Sequence, residues 1–349
     1  MNFNFLLNNK LSVDMAIDAG TDMTLIYLRD NGIVLKEPSY IAYDINTGKI
    51  QAVGYEAYEM YQKAPPCIKV IKPLSEGVIS DYDMACKMLR SFIASVCKKT
   101  FLKPRIISSV PSGSTEIEKK AICDALKEAG AREVYLMEEP LCAAAGAGCD
   151  ISLARGLLIA DIGGGRTDTA SISFARPVIS KSVTVAGNTF CEEIIKYVRK
   201  NHNLNIGEVT AENIKKELGC AYPFDLSKSM EVSGCDITTG FPCTITLSSE
   251  EIRETLTPFL KKIADLIKTT LEETPPELQS DILEDGILVT GGGAMLFGIE
   301  KYLRMETGLK VFVTENMDEC VIKGVGAQLE MLDAPANTSD RFFYSIYNF

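Results

Sequence analysis

The sequence predicts an α/β chain made of two duplicated halves, and three observations carry that reading. First, in LLIADIGGGRTDTASIS an apolar run, Leu157 to Ala160, ends at Asp161. Gly163, Gly164 and Gly165 follow before alternation resumes at Thr169 to Phe174, the pattern of strand, tight turn and strand. Second, MAIDAGTDMTLIYL near the N-terminus places Asp18, Gly20 and Thr24 at the same offsets as Asp161, Gly163 and Thr167. Third, each copy runs on into a hairpin. Thr24 to Leu28 turns at Asp30, Asn31 and Gly32 into Ile33 to Leu35, and Thr169 to Phe174 turns at Arg176 and Pro177 into Val178 to Val185.

Both glycine-bearing turns are candidate phosphate sites. Glycine puts no Cβ between backbone and ligand, so successive N–H groups can converge on phosphate oxygens, although a hairpin needs glycine as well. Asp18 and Asp161, each at the end of a buried strand, are placed to hold Mg²⁺ through its water shell. Two facing turns can grip one polyphosphate and its metal from both sides; one turn cannot.

The chain in order opens on Phe3, Phe5, Leu6 and Leu7 among asparagines, which suits a disordered start, a strand or a membrane-seeking segment. Ile33–Tyr43 and Ile50–Gly54 read as strands of a small subdomain, and Pro65, Pro66 and Pro73 punctuate a crossing segment. Met84, Met88, Leu89, Phe92, Ile93 and Val96 give Asp81–Lys98 the buried face of a long helix. In KKTFLK, Phe101 and Leu102 sit between lysines, where they could enter a bilayer or fold back under the loop. The strand Arg105–Val110 leads to a helix, Thr115–Ala129, with Ile117, Ala121, Ile122, Ala125 and Leu126 inward. Thr115 and Glu118 have capping-box spacing, so Glu118 either caps that helix or orients an attacking water.

Val134–Met137 is a short strand before EEPLCAAAGAG, a helix of small residues suited to close packing, with Glu138 and Glu139 at its start. Phe190–Lys200 and Ala211–Leu218 are helices. In the second of these, Glu212 and Lys215 form either a solvated pair or a bracket for a nucleoside. Cys220–Leu247 is β-rich, and Ser249–Glu273 is a long amphipathic helix ended by Pro275 and Pro276. Gly286–Thr290 is a buried strand. Gly291, Gly292 and Gly293 follow it and precede a helix from Met295, an arrangement that suits either ligand approach or plain packing. A strand at Val311–Thr314 and a helix at Val321–Met331 precede a polar tail ending in Phe342, Phe343, Tyr344, Tyr347 and Phe349, a docked terminus or a contact for a partner.

With 349 residues, 46% of them apolar, the chain is long enough for about two domains. No apolar run reaches the ~20 residues of a membrane span, and MNFNFLLNNK lacks the basic region of a signal peptide. Eleven cysteines without a CxxC pair favour neither a disulfide framework nor a zinc site and fit a reducing cytosol. A net charge of −11 argues against a nucleic-acid partner. The single histidine, His202, lies in polar RKNHNLN and reads as a surface residue.

These motifs, with FLKPRIISSVPSGSTEIEKKA, YVRKNHNLNIGEVTAENIKKELG, TPPELQSDILEDGILVTGGGAMLFGI and ETGLKVFV, resemble the actin, heat-shock chaperone and sugar kinase ATPase superfamily. Within it they are most similar to the rod-shape-determining bacterial actins, over about Ser12 to Leu332. The resemblance implies an α/β, actin-like fold of two duplicated RNase H-like domains, each with a smaller subdomain, and a nucleotide in the cleft between them. The implied subdomains are IA (1–40, 76–150 and 324–349), IB (41–75), IIA (151–187 and 249–323) and IIB (188–248).

It also implies ATP and Mg²⁺ as cofactors and self-association into paired filaments. Those filaments would lie on the inner face of the cytoplasmic membrane and guide the cell-wall elongation machinery. Residue by residue, Gly20, Thr21, Asp22 and Met23 match the first phosphate loop, and Gly163, Gly164 and Gly165 with Arg166 the second. Glu212 and Lys215 match the nucleoside-contacting helix, and Gly292, Gly293, Ala294 and Met295 the adenosine loop. Glu118 matches the water-activating glutamate, which joins Asp161 as a catalytic candidate, and Phe101 and Leu102 match the membrane-insertion loop.

The chain departs from the family's DLGTANT and GGGTTE at Asp22 and Met23 in the first loop and at Arg166 and Asp168 in the second. Arg166 stands where a threonine is expected near the γ-phosphate and metal, which predicts a weak ATPase with slow turnover. Two other functions are compatible with the superfamily. A scaffold that has lost hydrolysis suits the altered loops, whereas a small-molecule kinase needs a further catalytic aspartate beside a sugar pocket.

Overall fold

The computed structural model describes residues 13–97, 102–223 and 228–332. The chain forms two compact units: residues 1–154 with 173–177 and 319–349, and residues 155–172 with 178–318.

The first unit is built on a five-stranded sheet. Strands β1 (Met15–Ala19), β2 (Met23–Leu28) and β3 (Gly32–Pro38) form an antiparallel meander, and β4 (Arg105–Val110) and β5 (Glu133–Glu138) extend it in parallel beyond β1, in the order β5-β4-β1-β2-β3. Met15, Ile17, Ile26 and Ile106 are fully buried against helices α1 (Tyr82–Val96) and α2 (Glu116–Ala129), which present Met88, Leu89 and Leu126. Asp81 caps α1 by accepting from the Met84 amide at 3.1 Å, one of the donors that a helix start leaves unsatisfied. Just before β1 the buried Asp14 carboxylate accepts from Arg105 Nε at 3.1 Å and faces Arg29 at 3.7 Å, so its charge is matched inside the unit.

The second unit repeats the plan. Strands β6 (Leu157–Ile162), β7 (Thr167–Ser173) and β8 (Arg176–Val183) make the meander, and β9 (Ile287–Thr290) and β10 (Val311–Val313) extend it in parallel, in the order β8-β7-β6-β9-β10. Register repeats as well: Asp18 pairs with Leu25 in β1–β2, and Asp161 with Asp168 in β6–β7. The duplication read from two short motifs therefore extends over both sheets. Each unit also carries a three-stranded sheet, Ile41–Asp44 with Ile50–Val53 and Ile68–Ile71 in the first, and Leu204–Asn205 with Ser229–Asp236 and Pro242–Ser248 in the second.

Several expectations need correction. Ile33–Tyr43 is two strands: β3 belongs to the large sheet, and the chain breaks at Ser39 before Ile41–Asp44 joins the small one. The β7–β8 turn lies at Phe174 and Ala175, both left-handed with φ of 51° and 55°, and not at Arg176 and Pro177. Positive φ at both central positions is the type I′ hairpin turn, a conformation that proline cannot adopt. Ile117 is 82% exposed, because it lies roughly 140° round α2 from Ile122 and off the buried stripe. The helix expected from Met295 is a single 3₁₀ turn, Gly292–Met295, and the α-helix begins at Ile299 after left-handed Gly298. His202 is half-buried and engaged, not fully at the surface. Its side chain is 22% exposed, with Nε2 at 3.3 Å from Glu251 Oε1 and its ring edge-on to Tyr197. No helix among the described residues is long and apolar enough to cross a membrane. Phe101, the first ten residues and the terminal aromatics lie outside the described residues.

Candidate functional site

The turn between β1 and β2 closes with the Gly20 amide donating to the Met23 carbonyl at 3.0 Å. A Cβ on Gly20 would stand 2.9 Å from that oxygen, so this position requires glycine. Side chains from outside the motif hold the turn. Ser39 Oγ donates to the Gly20 carbonyl at 2.7 Å, the Ser39 amide donates to the Asp22 carbonyl at 2.9 Å, and Thr21 Oγ1 accepts from the Gly77 amide at 2.9 Å. Asp22 makes a 2.8 Å ion pair with Lys72.

At the end of β1, Asp18 accepts from Ser109 Oγ at 2.8 Å. Burial raises its pKa to about 6, against the lowering effect of the Ser109 hydrogen bond. A cavity beside it is lined by Ala19, Ser109, Pro111, Glu118 and Glu139 among others. Glu118 completes the capping box of α2, its Oε2 accepting from the Thr115 amide at 2.7 Å and from Thr115 Oγ1 at 2.9 Å. The carboxylate thus caps the helix and also borders the cavity. Burial raises the pKa of Glu138, at the end of β5, against the charge of Lys119.

The second turn has the same closure. The Gly163 amide donates to the Arg166 carbonyl at 2.9 Å, and a Cβ on Gly163 would stand 3.0 Å from it. Helix α4 (Gly187–His202) begins directly on this turn, with the Gly187 and Asn188 amides donating to the Gly163 and Gly164 carbonyls at 3.1 and 2.7 Å. Helix α5 (Glu208–Leu218) delivers Lys215, whose Nζ lies 2.6 Å from Glu212 Oε2 and donates to the Gly187 carbonyl at 3.2 Å. Burial disfavours the Lys215 ammonium, but Cys191 and Glu212 outweigh it and raise the pKa. This is an anchored pair with Lys215 only 16% exposed, not a solvated one.

The third glycine turn divides by role. A Cβ on Gly291 would lie 2.3 Å from the Ile162 carbonyl and one on Gly293 2.8 Å from the Gly163 carbonyl, whereas Gly292 has only Asp318 Cβ at 4.0 Å. Packing explains the outer two glycines, and the middle one is open to approach. Ala294 is buried and Met295 is 54% exposed.

Two observations bear on what this turn can hold. Arg166 Nε is enclosed and has no hydrogen-bond partner, a donor that an anion would satisfy. Asp161 and Asp168, 7% and 2% exposed, are direct cross-strand partners, so two buried carboxylates share one face beside this turn. The donor set fits a magnesium-bound phosphate.

A family model described as MreB/Mbl protein matches residues 12–337. The chain belongs to the MreB/Mbl family. The cell shape-determining protein MreB of Escherichia coli K12 is 45% identical over 328 residues, covering 92% of this chain and 94% of the relative. The cell shape-determining protein Mbl of Bacillus subtilis is 42% identical over 321 residues, covering 92% and 96%. Among solved structures, MreB5 of Spiroplasma citri bound to ADP superposes with a TM-score of 0.87 at 40% identity, covering 91% of this chain and 96% of that one. The same protein has been solved bound to AMPPNP. A MamK double helical filament, 20% identical with a TM-score of 0.79, shares the fold. This MreB/Mbl chain is therefore actin-like, with the duplicated architecture the motifs predict.

Ser39, Lys72, Ser109, Gly187 and Asn188 were not legible as site residues in the sequence. A glycine before a helical pattern in VAGNTF was the available signal for Gly187, whereas the others lie far along the chain from the turns they hold.

Proposed function

We propose that this MreB/Mbl chain is an ATP-binding cytoskeletal protein that assembles into membrane-associated filaments, organises cell-wall synthesis and maintains rod shape. The observation that carries nucleotide binding is the pair of identically closed glycine turns, one in each unit, with an enclosed unpartnered guanidinium Nε on the second. The nucleotide-bound structures of MreB5 support it. In this reading the amides around Gly20, Thr21, Asp22 and Met23 and around Gly163, Gly164 and Gly165 hold phosphates. Glu212 and Lys215 flank the nucleoside, and Gly292, open to approach, borders it with Gly293, Ala294 and Met295. Asp18 and Asp161 are the carboxylates that would hold Mg²⁺ through its water shell, and Mg²⁺ would supply charge neutralisation of the phosphates. Glu118 orients the attacking water while still capping α2. Leu102, 40% exposed, serves with Phe101 as a membrane contact that becomes strong only when an assembly repeats it. Location is cytoplasmic, at the inner membrane face.

Incubation with ATP and liposomes, followed by pelleting and electron microscopy, tests this. Paired filaments or sheets that depend on ATP are expected. Absence of assembly favours a small-molecule kinase, and assembly indifferent to nucleotide favours a scaffold. Hydrolysis is slow because Arg166 brings a fixed cation to the place of a neutral threonine and competes with the metal. Arg166→Thr is expected to raise phosphate release by about tenfold, roughly 1.4 kcal/mol of barrier. Fast release by the unaltered chain, unchanged in the variant, would refute that role.

A further inference from the structure

The first phosphate turn carries a negative charge of its own, at Asp22, a position where the family pattern has alanine. The backbone that carries it is fixed, because the Asp22 carbonyl accepts from the Ser39 amide at 2.9 Å. Lys72, just past the strand Ile68–Ile71 of the small sheet, meets it at 2.8 Å. The lysine is itself held: its side chain is 24% exposed and its Nζ lies 5.2 Å from the centroid of the Tyr40 ring. Tyr40 is 5% exposed and packs edge-on against Tyr58 and Tyr61, at 5.3 and 5.1 Å between centroids. The cation is thus delivered to the turn by a rigid aromatic wall.

We infer that Lys72 is a positioning residue for the phosphates of the bound nucleotide, acting through Asp22: it cancels the repulsion of a carboxylate built into the first phosphate turn. The inference rests on the nucleotide reading above. A partly exposed ion pair contributes little to folding stability. Beside a ligand with several negative charges the same carboxylate, left uncancelled, acts on every phosphate at once. The pair therefore matters for binding more than for folding, and its effect grows with phosphate count.

Calorimetric affinities for Mg·ATP, Mg·ADP and AMP test this in the unaltered chain, Lys72→Met, Lys72→Arg, Asp22→Ala and the double variant Asp22→Ala/Lys72→Met. Thermal unfolding without nucleotide confirms that each is folded. Lys72→Met is expected to weaken Mg·ATP by about tenfold, Mg·ADP less, and AMP by no more than about twofold. Lys72→Arg retains affinity. Asp22→Ala binds at least as tightly as the unaltered chain, and in its background Lys72→Met costs no more than about threefold, the non-additivity that an acting-through role requires. Equal losses for all three nucleotides, or additive losses in the double variant, overturn the inference alone. An unaltered chain that binds none of the three overturns the nucleotide reading, and this inference with it.

Discussion

Replacing Gly146 or Gly324 by alanine is expected to unfold the first unit under conditions where the unaltered chain is stable. Helix α3 (Glu139–Gly146) and helix α6 (Cys320–Glu330) cross with their backbones in contact. A Cβ on Gly146 would lie 1.8 Å from the Cys320 carbonyl oxygen, and one on Gly324 1.8 Å from that of Cys142. Two effects oppose each other. Alanine favours a helix over glycine by roughly 1 kcal/mol, but relieving a clash with backbone demands that the helices separate by more than an ångström. Separation opens gaps around Leu141, Cys142, Val325 and Leu329, all fully buried or nearly so. Overpacking that only moves side chains costs about 1–3 kcal/mol, and here nothing flexible can give way, so a loss of roughly 4 kcal/mol or more is expected. Gly148→Ala is the control. Its Cβ meets nothing within 4 Å and its φ of +85° adds only the strain of a left-handed residue, about 1–2 kcal/mol. Urea unfolding without nucleotide reads the difference, and equal midpoints for Gly146→Ala and Gly148→Ala would contradict the close crossing.

The same crossing shows which parts of the fold could be read from sequence. The run EEPLCAAAGAG announces close packing, because only small side chains let a helix approach a neighbour so nearly, but the partner is supplied by KGVGA near the other end of the described chain. Local spacing does not carry that pairing. The Asp–Gly–Thr offsets of the two turns were legible because turn closure is local: the glycine amide and the carbonyl it meets lie three residues apart. What braces each turn is not local. Ser39 and Lys72 reach Gly20 and Asp22 only because the chain kinks at Ser39 and then builds the small sheet, and neither event leaves a mark in the turn itself. At Phe174 and Ala175 the local signal misleads. Arg-Pro looks like a turn, yet two residues without glycine adopt left-handed backbone, held there by amide hydrogen bonds to the Leu153 and Ile151 carbonyls. The capping role of Glu118 was legible, since a capping box fixes the carboxylate at the helix start, and that helix start also borders the cavity.

Asp18→Asn is expected to make the nucleotide-free protein more stable and to remove its stabilisation by Mg·ATP. The two copies of the motif are not equivalent electrostatically. Asp161 faces a second carboxylate, Asp168, whereas Asp18 faces Leu25 and has the Ser109 hydroxyl for company. Burial raises the Asp18 pKa to about 6, well above its ordinary 3.8. The fold therefore prefers the neutral acid. Its favourable contribution is complete below pH 4, declines as pH rises through 6, and is gone at neutral pH, where the ionised carboxylate is held in a poorly solvated place. A shift of this size corresponds to about 3 kcal/mol. Asparagine keeps the acceptor for Ser109 without the charge and should recover roughly 2 kcal/mol of it. In nucleotide-free, magnesium-free buffer, the variant's unfolding midpoint should exceed that of the unaltered chain at pH 7.5 and converge with it near pH 4. With Mg·ATP present the order should reverse, because ligand stabilisation grows with the ratio of free ligand to Kd and the variant has lost one of the two carboxylates proposed to hold the metal. A destabilised variant at pH 7.5 would mean that Asp18 is held in place as a structural anion; stabilisation retained in Mg·ATP would remove it from the metal site.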